Sequence, residues 1–238
     1  GLLPAEIEKL YPKLWLNDED EGGKNMHEAE LIENQLKGLG KDTRFAYNKV
    51  LNPNYGRKVV SEISNQMNNA FNVIVYNFID MLSHARTDTD IIKELAEDES
   101  AYRSLTLNWF DHSPLKEALK EIAQKGGKVV ITTDHGSIKV KEPIKVIGDK
   151  SVNTNLRYKQ GKNLSFDRED VFSIDRPERA YLPKVNVSQS FIFARGDNFF
   201  AYPNNYNHYV SYYKNTFQHG GISLEEMMVP IVQLSPKK

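Results

Sequence analysis

Two short apolar runs, FNVIVYNFI over residues 71–79 and KVVITT over residues 128–133, do most to limit what this chain can fold into. Both are rich in β-branched or aromatic side chains and carry them on both faces, as a strand does when helices cover its two sides. Helical patterns lie between them. The spacing predicts one helix over residues 101–110 and another with Ser113 as N-cap, Pro114 as first helical residue and Gly126-Gly127 as its stop. Strand, helix, strand in that order predicts a parallel α/β sheet.

Upstream, an acidic, glycine-containing stretch over residues 17–23 reads as a surface loop, and Ala29, Leu31, Ile32, Leu36 and Leu39 then fall at helical spacing. Val60, Ile63 and Met67 mark one face of a helix over residues 59–69, whereas Asn-Pro-Asn within residues 47–55 reads as a turn. Downstream of residue 139 the composition turns basic, and Pro143 and several asparagines break regular periodicity. Residues 190–194 and 198–202 flank Arg195-Gly196-Asp197 as hairpin strands would. Ser223 and Glu226 have capping-box spacing, and residues 229–232 are a candidate last strand whose Pro230 favours a sheet edge. The expected fold is α/β, with a mainly parallel central sheet, helices on both faces and a smaller inserted cap lobe over residues 139–217.

Composition narrows the chemistry. None of the 238 residues is cysteine, so disulfides and thiolate ligands are excluded, and any metal must be held by His, Asp, Glu or backbone. A net charge of -1 offers no broad attraction for nucleic acid, so phosphate binding would have to be local. A mean hydropathy of -0.57, with no apolar run of bilayer length, argues against membrane insertion. The opening Gly1-Leu2-Leu3-Pro4 lacks an initiator Met and the regions of a signal peptide, and is expected to be an internal cut in a longer, cytoplasmic protein.

The sharpest chemical feature is positional. Both apolar runs lead into potential metal ligands: Asp80, with His84 four residues on, and Asp134, with His135 adjacent. In open α/β sheets ligands gather beyond the carboxyl ends of the strands, and carboxylate with imidazole suits zinc or a similar divalent ion. His219 precedes Gly220-Gly221, where small residues let backbone approach an ion or a phosphate, and it could complete a site. The bland reading of Asp134-His135-Gly136 is a tight turn after a strand. His27, His112 and His208 lack such placement and read as structural or surface residues, with His208 the exception to watch because it lies on the approach to His219.

The basic stretch over residues 139–162 has two readings. One is a solvated face. In the other, Asn153, Asn155, Arg157 and Lys159 donate to phosphate oxygens, with Arg157 able to bind in bidentate fashion and Tyr158 able to stack a base. That second reading favours a nucleotide or oligonucleotide diester.

The order Asp-x-x-x-His, Asp-His-Gly and a distal His resembles the metal motifs of the alkaline phosphatase superfamily. The segments GLLPAEIEKLYPKLW, TTDHGS, NTNLRYK and FQHGGISLEEMMVPIV resemble the PglZ domain, especially that of PorX-like response regulators, and the likeness spans nearly the whole chain. It implies a two-zinc phosphoesterase acting on diesters, with Asp80, His84 and His219 on one ion and Asp134 and His135 on the other. The first strand, a further carboxylate ligand and a Thr or Ser nucleophile are implied upstream of Gly1. The resemblance also implies an effector domain beneath a receiver domain, signalling partners linked to type IX secretion, and a homodimer. The competing reading is a catalytically silent zinc-containing regulatory or protein-interaction module.

Overall fold

The computed structural model describes residues 3–14, 26–96, 98–148, 152–184 and 187–237, and leaves out the side chains of residues 84, 86–88, 90 and 93. The acidic stretch expected to form a loop over residues 17–23 lies outside the described residues. The chain divides into two compact units, residues 43–136 with 228–238, and residues 1–42 with 137–227.

The first of these units is built on a β-α-β crossover. Strand β1 (Phe45–Val50) leads into helix α3 (Pro53–Gln66) and returns as β2 (Phe71–Tyr76), pairing in parallel from Phe45↔Phe71 to Val50↔Tyr76. This arrangement places the chain in the α/β class. Asn52 caps α3 by accepting from the Tyr55 amide at 2.9 Å, and Pro53 opens the first turn. Val59 and Ile63, one helical turn apart, bury one face of α3 with Val50 and with Ala118 of α7 (Pro114–Gln124). Ser113 caps α7 as its sequence predicts, accepting from the Lys116 amide.

Helices α4 (Phe78–Asp88), α5 (Asp90–Leu95) and α6 (Glu99–Asp111) lie between β2 and α7. Phe78 stacks on Trp109 of α6, with ring centroids 4.0 Å apart. The apolar run over residues 71–79 therefore splits into a strand and the start of a helix, and Asp80 stands in the helix's first turn rather than at a strand tip. Strand β3 (Val129–Ile131) pairs antiparallel with β11 (Val232–Leu234). Val130 is 61% exposed, so the burial expected for this run is not found. Among the described residues the strands form small two- and three-stranded sheets, and the expected large, mainly parallel central sheet is not among them.

The other unit holds helices α1 (Pro4–Leu10) and α2 (Glu28–Gly38), then β4 (Ile138–Lys139), β5 (Glu142–Lys145), β6 (Tyr158–Lys162), β7 (Val171–Ile174), β8 (Gln189–Ala194) and β9 (Asn198–Ala201). Helix α8 (Tyr206–Tyr213), strand β10 (Phe217–Gln218) and helix α9 (Leu224–Met227) follow. Strand β8 is central to a three-stranded antiparallel sheet in the order β6-β8-β7, while β9 pairs in parallel with β5. Alternation along β9 sends Phe200 into a core with Ile144, Val146 and Ile192, and Phe199 and Ala201 into a second core with Val140.

The expected hairpin of β8 and β9 is thus two strands in different sheets. The reason is a wedge: the Leu156 carbonyl accepts from the Phe200 amide and the Arg157 carbonyl from the Ala194 amide, each at 2.8 Å. Those bonds occupy edges that a hairpin ladder would have used. Among the described residues no helix is long and apolar enough to cross a membrane.

Truncating Ile63 to Ala, in the α3–α7 core, should destabilise the unit holding β1 and β2 by about 2–5 kcal/mol. Thermal denaturation followed by circular dichroism measures it.

Candidate metal centre

Local structure explains how each candidate ligand is presented. Asp80 sits in the first turn of α4, where unsatisfied amides and the helix dipole favour a carboxylate. Asp134 and His135 follow β3 directly. The His135 amide donates to Asp134 Oδ1 at 3.1 Å, and the Thr133 hydroxyl donates to the His135 carbonyl at 3.0 Å, which pins the backbone of this turn. His135 Nδ1 lies 3.0 Å from the Gly136 carbonyl. A carbonyl only accepts, so Nδ1 is the nitrogen that carries the proton in this bond.

Asp80 and His135 each offer one ligand atom, and these lie within 4.8 Å of one another. They form a carboxylate–imidazole group that could take part in holding a metal ion, and the third candidate, His219, stands in the other unit. Asp134 is not in that group. Its side chain is 83% exposed and turned to its own neighbours. The backbone of His84 belongs to α4, but its side chain lies outside the described residues. His135, expected beside Asp134 on a second ion, has its ligand atom within 4.8 Å of that of Asp80. A carboxylate beside a partly buried imidazole is a donor pair that suits a divalent metal ion. The Asp134-His135-Gly136 segment turns directly after β3, which agrees with the tight-turn reading. Of the other histidines, His112 Nδ1 bonds the Asn108 carbonyl and His208 packs on Tyr209 and Tyr212, both within their own helices.

The segment expected to bind phosphate faces inward. Arg157 is 0% exposed. Its Nε and Nη2 donate to Glu226 Oε1 at 2.8 Å and Oε2 at 2.6 Å, Nη2 also reaches the Gly196 carbonyl at 2.8 Å, and Nη1 donates to the Asn198 carbonyl. Lys159 is 1% exposed, donates to the Asn153 carbonyl at 2.9 Å and lies over the Tyr202 ring. Asn155 Oδ1 accepts from the Arg157 and Tyr158 amides, and Asn153 Oδ1 from the Gln160 amide. The charged donors of Arg157 and Lys159 are engaged inside the fold, whereas Asn153 and Asn155 are half-buried and use their side-chain oxygens to hold the backbone.

Glu226 was legible only as a capping-box residue, and it does that work: its Oε2 accepts from the Ser223 amide at 3.1 Å while its own amide donates to Ser223 Oγ at 3.3 Å. Its pairing with Arg157, 69 residues away, carries no sequence signal. Burial by itself would raise the Glu226 carboxyl, but hydrogen bonds from Arg157 and Ser223, with the guanidinium charge, outweigh it and hold the group below the ordinary glutamate value.

A β-α-β crossover, with a carboxylate at the start of α4 and an imidazole after β3 that could help to hold a metal ion, defines an α/β protein with a candidate metal site. The sequence matches the model of the BREX system PglZ alkaline phosphatase-like domain over residues 2–234, and the chain belongs to that family. Membership brings a phosphoesterase-type fold. No curated protein matches the chain.

Because its carboxyl pKa is depressed on folding, Glu226 contributes stability above the unfolded value of about 4.3, and that contribution is lost as pH falls through the lower folded value. Acid unfolding of metal-free protein should therefore steepen below about pH 4.3. Glu226→Gln should flatten that dependence. Arg157→Ala should cost about 3–5 kcal/mol at neutral pH, since it strands a buried carboxylate.

Proposed function

We propose that this chain is a divalent-metal phosphoesterase domain in which Asp80 and His135 help to hold a zinc ion, with His219 the further ligand that the resemblance implies. The observation that carries the reading is the pairing of Asp80 and His135, whose ligand atoms lie within 4.8 Å of one another; carboxylate and imidazole are the donors of catalytic zinc sites, which keep a position open for water or substrate. Membership of an alkaline phosphatase-like family supports a phosphoester as the substrate class. Zinc, when bound, supplies Lewis-acid polarisation of a phosphoryl oxygen. The chain's own residues orient the ligands: the Gly136 carbonyl fixes the ring of His135, and the first turn of α4 fixes Asp80.

The resemblance supports three extensions. His84 would join Asp80 and His219 on one zinc ion while Asp134 joins His135 on a second, diesters including nucleotides would be the substrates, and the domain would act as the effector of a cytoplasmic response regulator, dimerising under its receiver domain. The inward-facing Arg157 and Lys159 lend no support to a nucleotide.

Full-length protein should contain zinc by emission spectroscopy and hydrolyse bis-p-nitrophenyl phosphate, and EDTA should abolish turnover. Asp80→Ala and His219→Ala should each weaken zinc binding by more than the roughly 10- to 100-fold that changes around a ligand cost. Full zinc retention in both variants would sink the ligand assignment. Zinc without turnover in the unaltered protein would identify the silent zinc-holding module instead.

A further inference from the structure

The residues around His219 are clamped more tightly than a surface turn needs. Upstream, β10 pairs with β4, with Gln218 opposite Ile138, so the strand ends where His219 begins. Downstream, the Gly221 amide donates to Glu226 Oε1 at 2.8 Å and the Ser223 amide to Oε2 at 3.1 Å. The same two oxygens take Nε and Nη2 of Arg157. The carboxylate thus accepts four hydrogen bonds, two from the turn and two from a guanidinium that is itself held by the carbonyls of Gly196 and Asn198.

Steric fit points the same way. Gly220 has φ +106°, and a Cβ there would meet Tyr158 Cδ1 at 3.0 Å and the Asn155 amide at 3.2 Å. A Cβ on Gly221 would meet Arg157 Nη2 at 2.6 Å and Glu226 Oε2 at 2.8 Å. The turn is pressed onto Asn155, Arg157, Tyr158 and Glu226, and only glycine fits. Neither Arg157 nor Glu226 is a candidate ligand, yet together they fix the backbone two residues beyond His219, which is one.

We infer that Arg157 and Glu226 are positioning residues for the metal centre: the buried ion pair sets the path of residues 219–221 and thereby aims the His219 imidazole. This role rests on His219 being a ligand. A ligand held on a rigid backbone binds without paying to order itself, so loosening the turn should weaken metal binding even though no donor atom is lost.

The test is zinc affinity by competition with a chromogenic chelator, joined to the visible absorption of the cobalt(II)-loaded protein, which reports ligand geometry. Melting temperature of the metal-free protein is measured separately. Glu226→Gln and Gly221→Ala should each weaken zinc binding about 10-fold or more and change the cobalt spectrum. Ile144→Val, which thins the core of the same unit, should lower the melting temperature and leave both metal readouts unchanged. If Glu226→Gln does not fold, Gly221→Ala decides, since it keeps both charges. His219→Ala separates the two failures. Unchanged zinc affinity in that variant would remove both the ligand assignment and the positioning role. Weakened affinity there, with Gly221→Ala and any folded Glu226→Gln behaving like Ile144→Val, would leave the metal centre standing and overturn the positioning role.

Discussion

A guanidinium with no exposed surface is tolerated only where its inward-facing donors find acceptors, because an unpaired charge in a protein interior costs more than folding can supply. Arg157 imposes that demand on its unit. Glu226, Gly196 and Asn198 meet it, and each is thereby fixed in place. The turn between β8 and β9 opens around the guanidinium, the Ser223–Glu226 cap is pulled against it, and Asn155 supports the backbone on which it stands. Much of this lobe's geometry can be read as an answer to one side chain's hydrogen-bonding needs.

The candidate metal ligands depend on local structure of a different kind. Asp80 takes its position from a helix start, where a carboxylate is already favoured, and His135 takes its tautomer from the carbonyl of the next residue. Neither needs a dedicated scaffold. His219 does, because it stands between a two-residue strand and a glycine turn, neither of which is rigid alone.

How far the sequence could be read follows from the range of the interactions involved. Caps and periodicity are local, so α7 with Ser113, the helical face of Val60 and Ile63, and the Ser223–Glu226 box were all legible. The candidate ligands Asp80, His135 and His219 were legible because their residue types stand out beside strands and glycines. Strand β1 was missed because Asn48, which is buried and bonded to Gln66, breaks the apolar pattern that marks a strand. The pairing of β3 was unreadable because β-branched runs suit any pleated surface, and partner and direction are set from afar. Arg157 was misread for the same reason. Arginine among lysines and asparagines describes a phosphate cradle and a buried ion pair equally well, and what decides between them is a glutamate 69 residues downstream.

The wedge of Leu156 and Arg157 between β8 and β9 carries a kinetic consequence. Strands separated by three residues can zip into a hairpin within about 1–10 μs, long before a segment some forty residues upstream can find them. The native arrangement requires that this fast product be avoided or undone. A path that waits for distant partners is slow by the logic of contact order, and the arginine makes the delay worthwhile, since its guanidinium takes up carbonyls at the turn once the upstream chain arrives. The rate at which this lobe matures should therefore be governed by the search of a loop rather than by the closing of a turn.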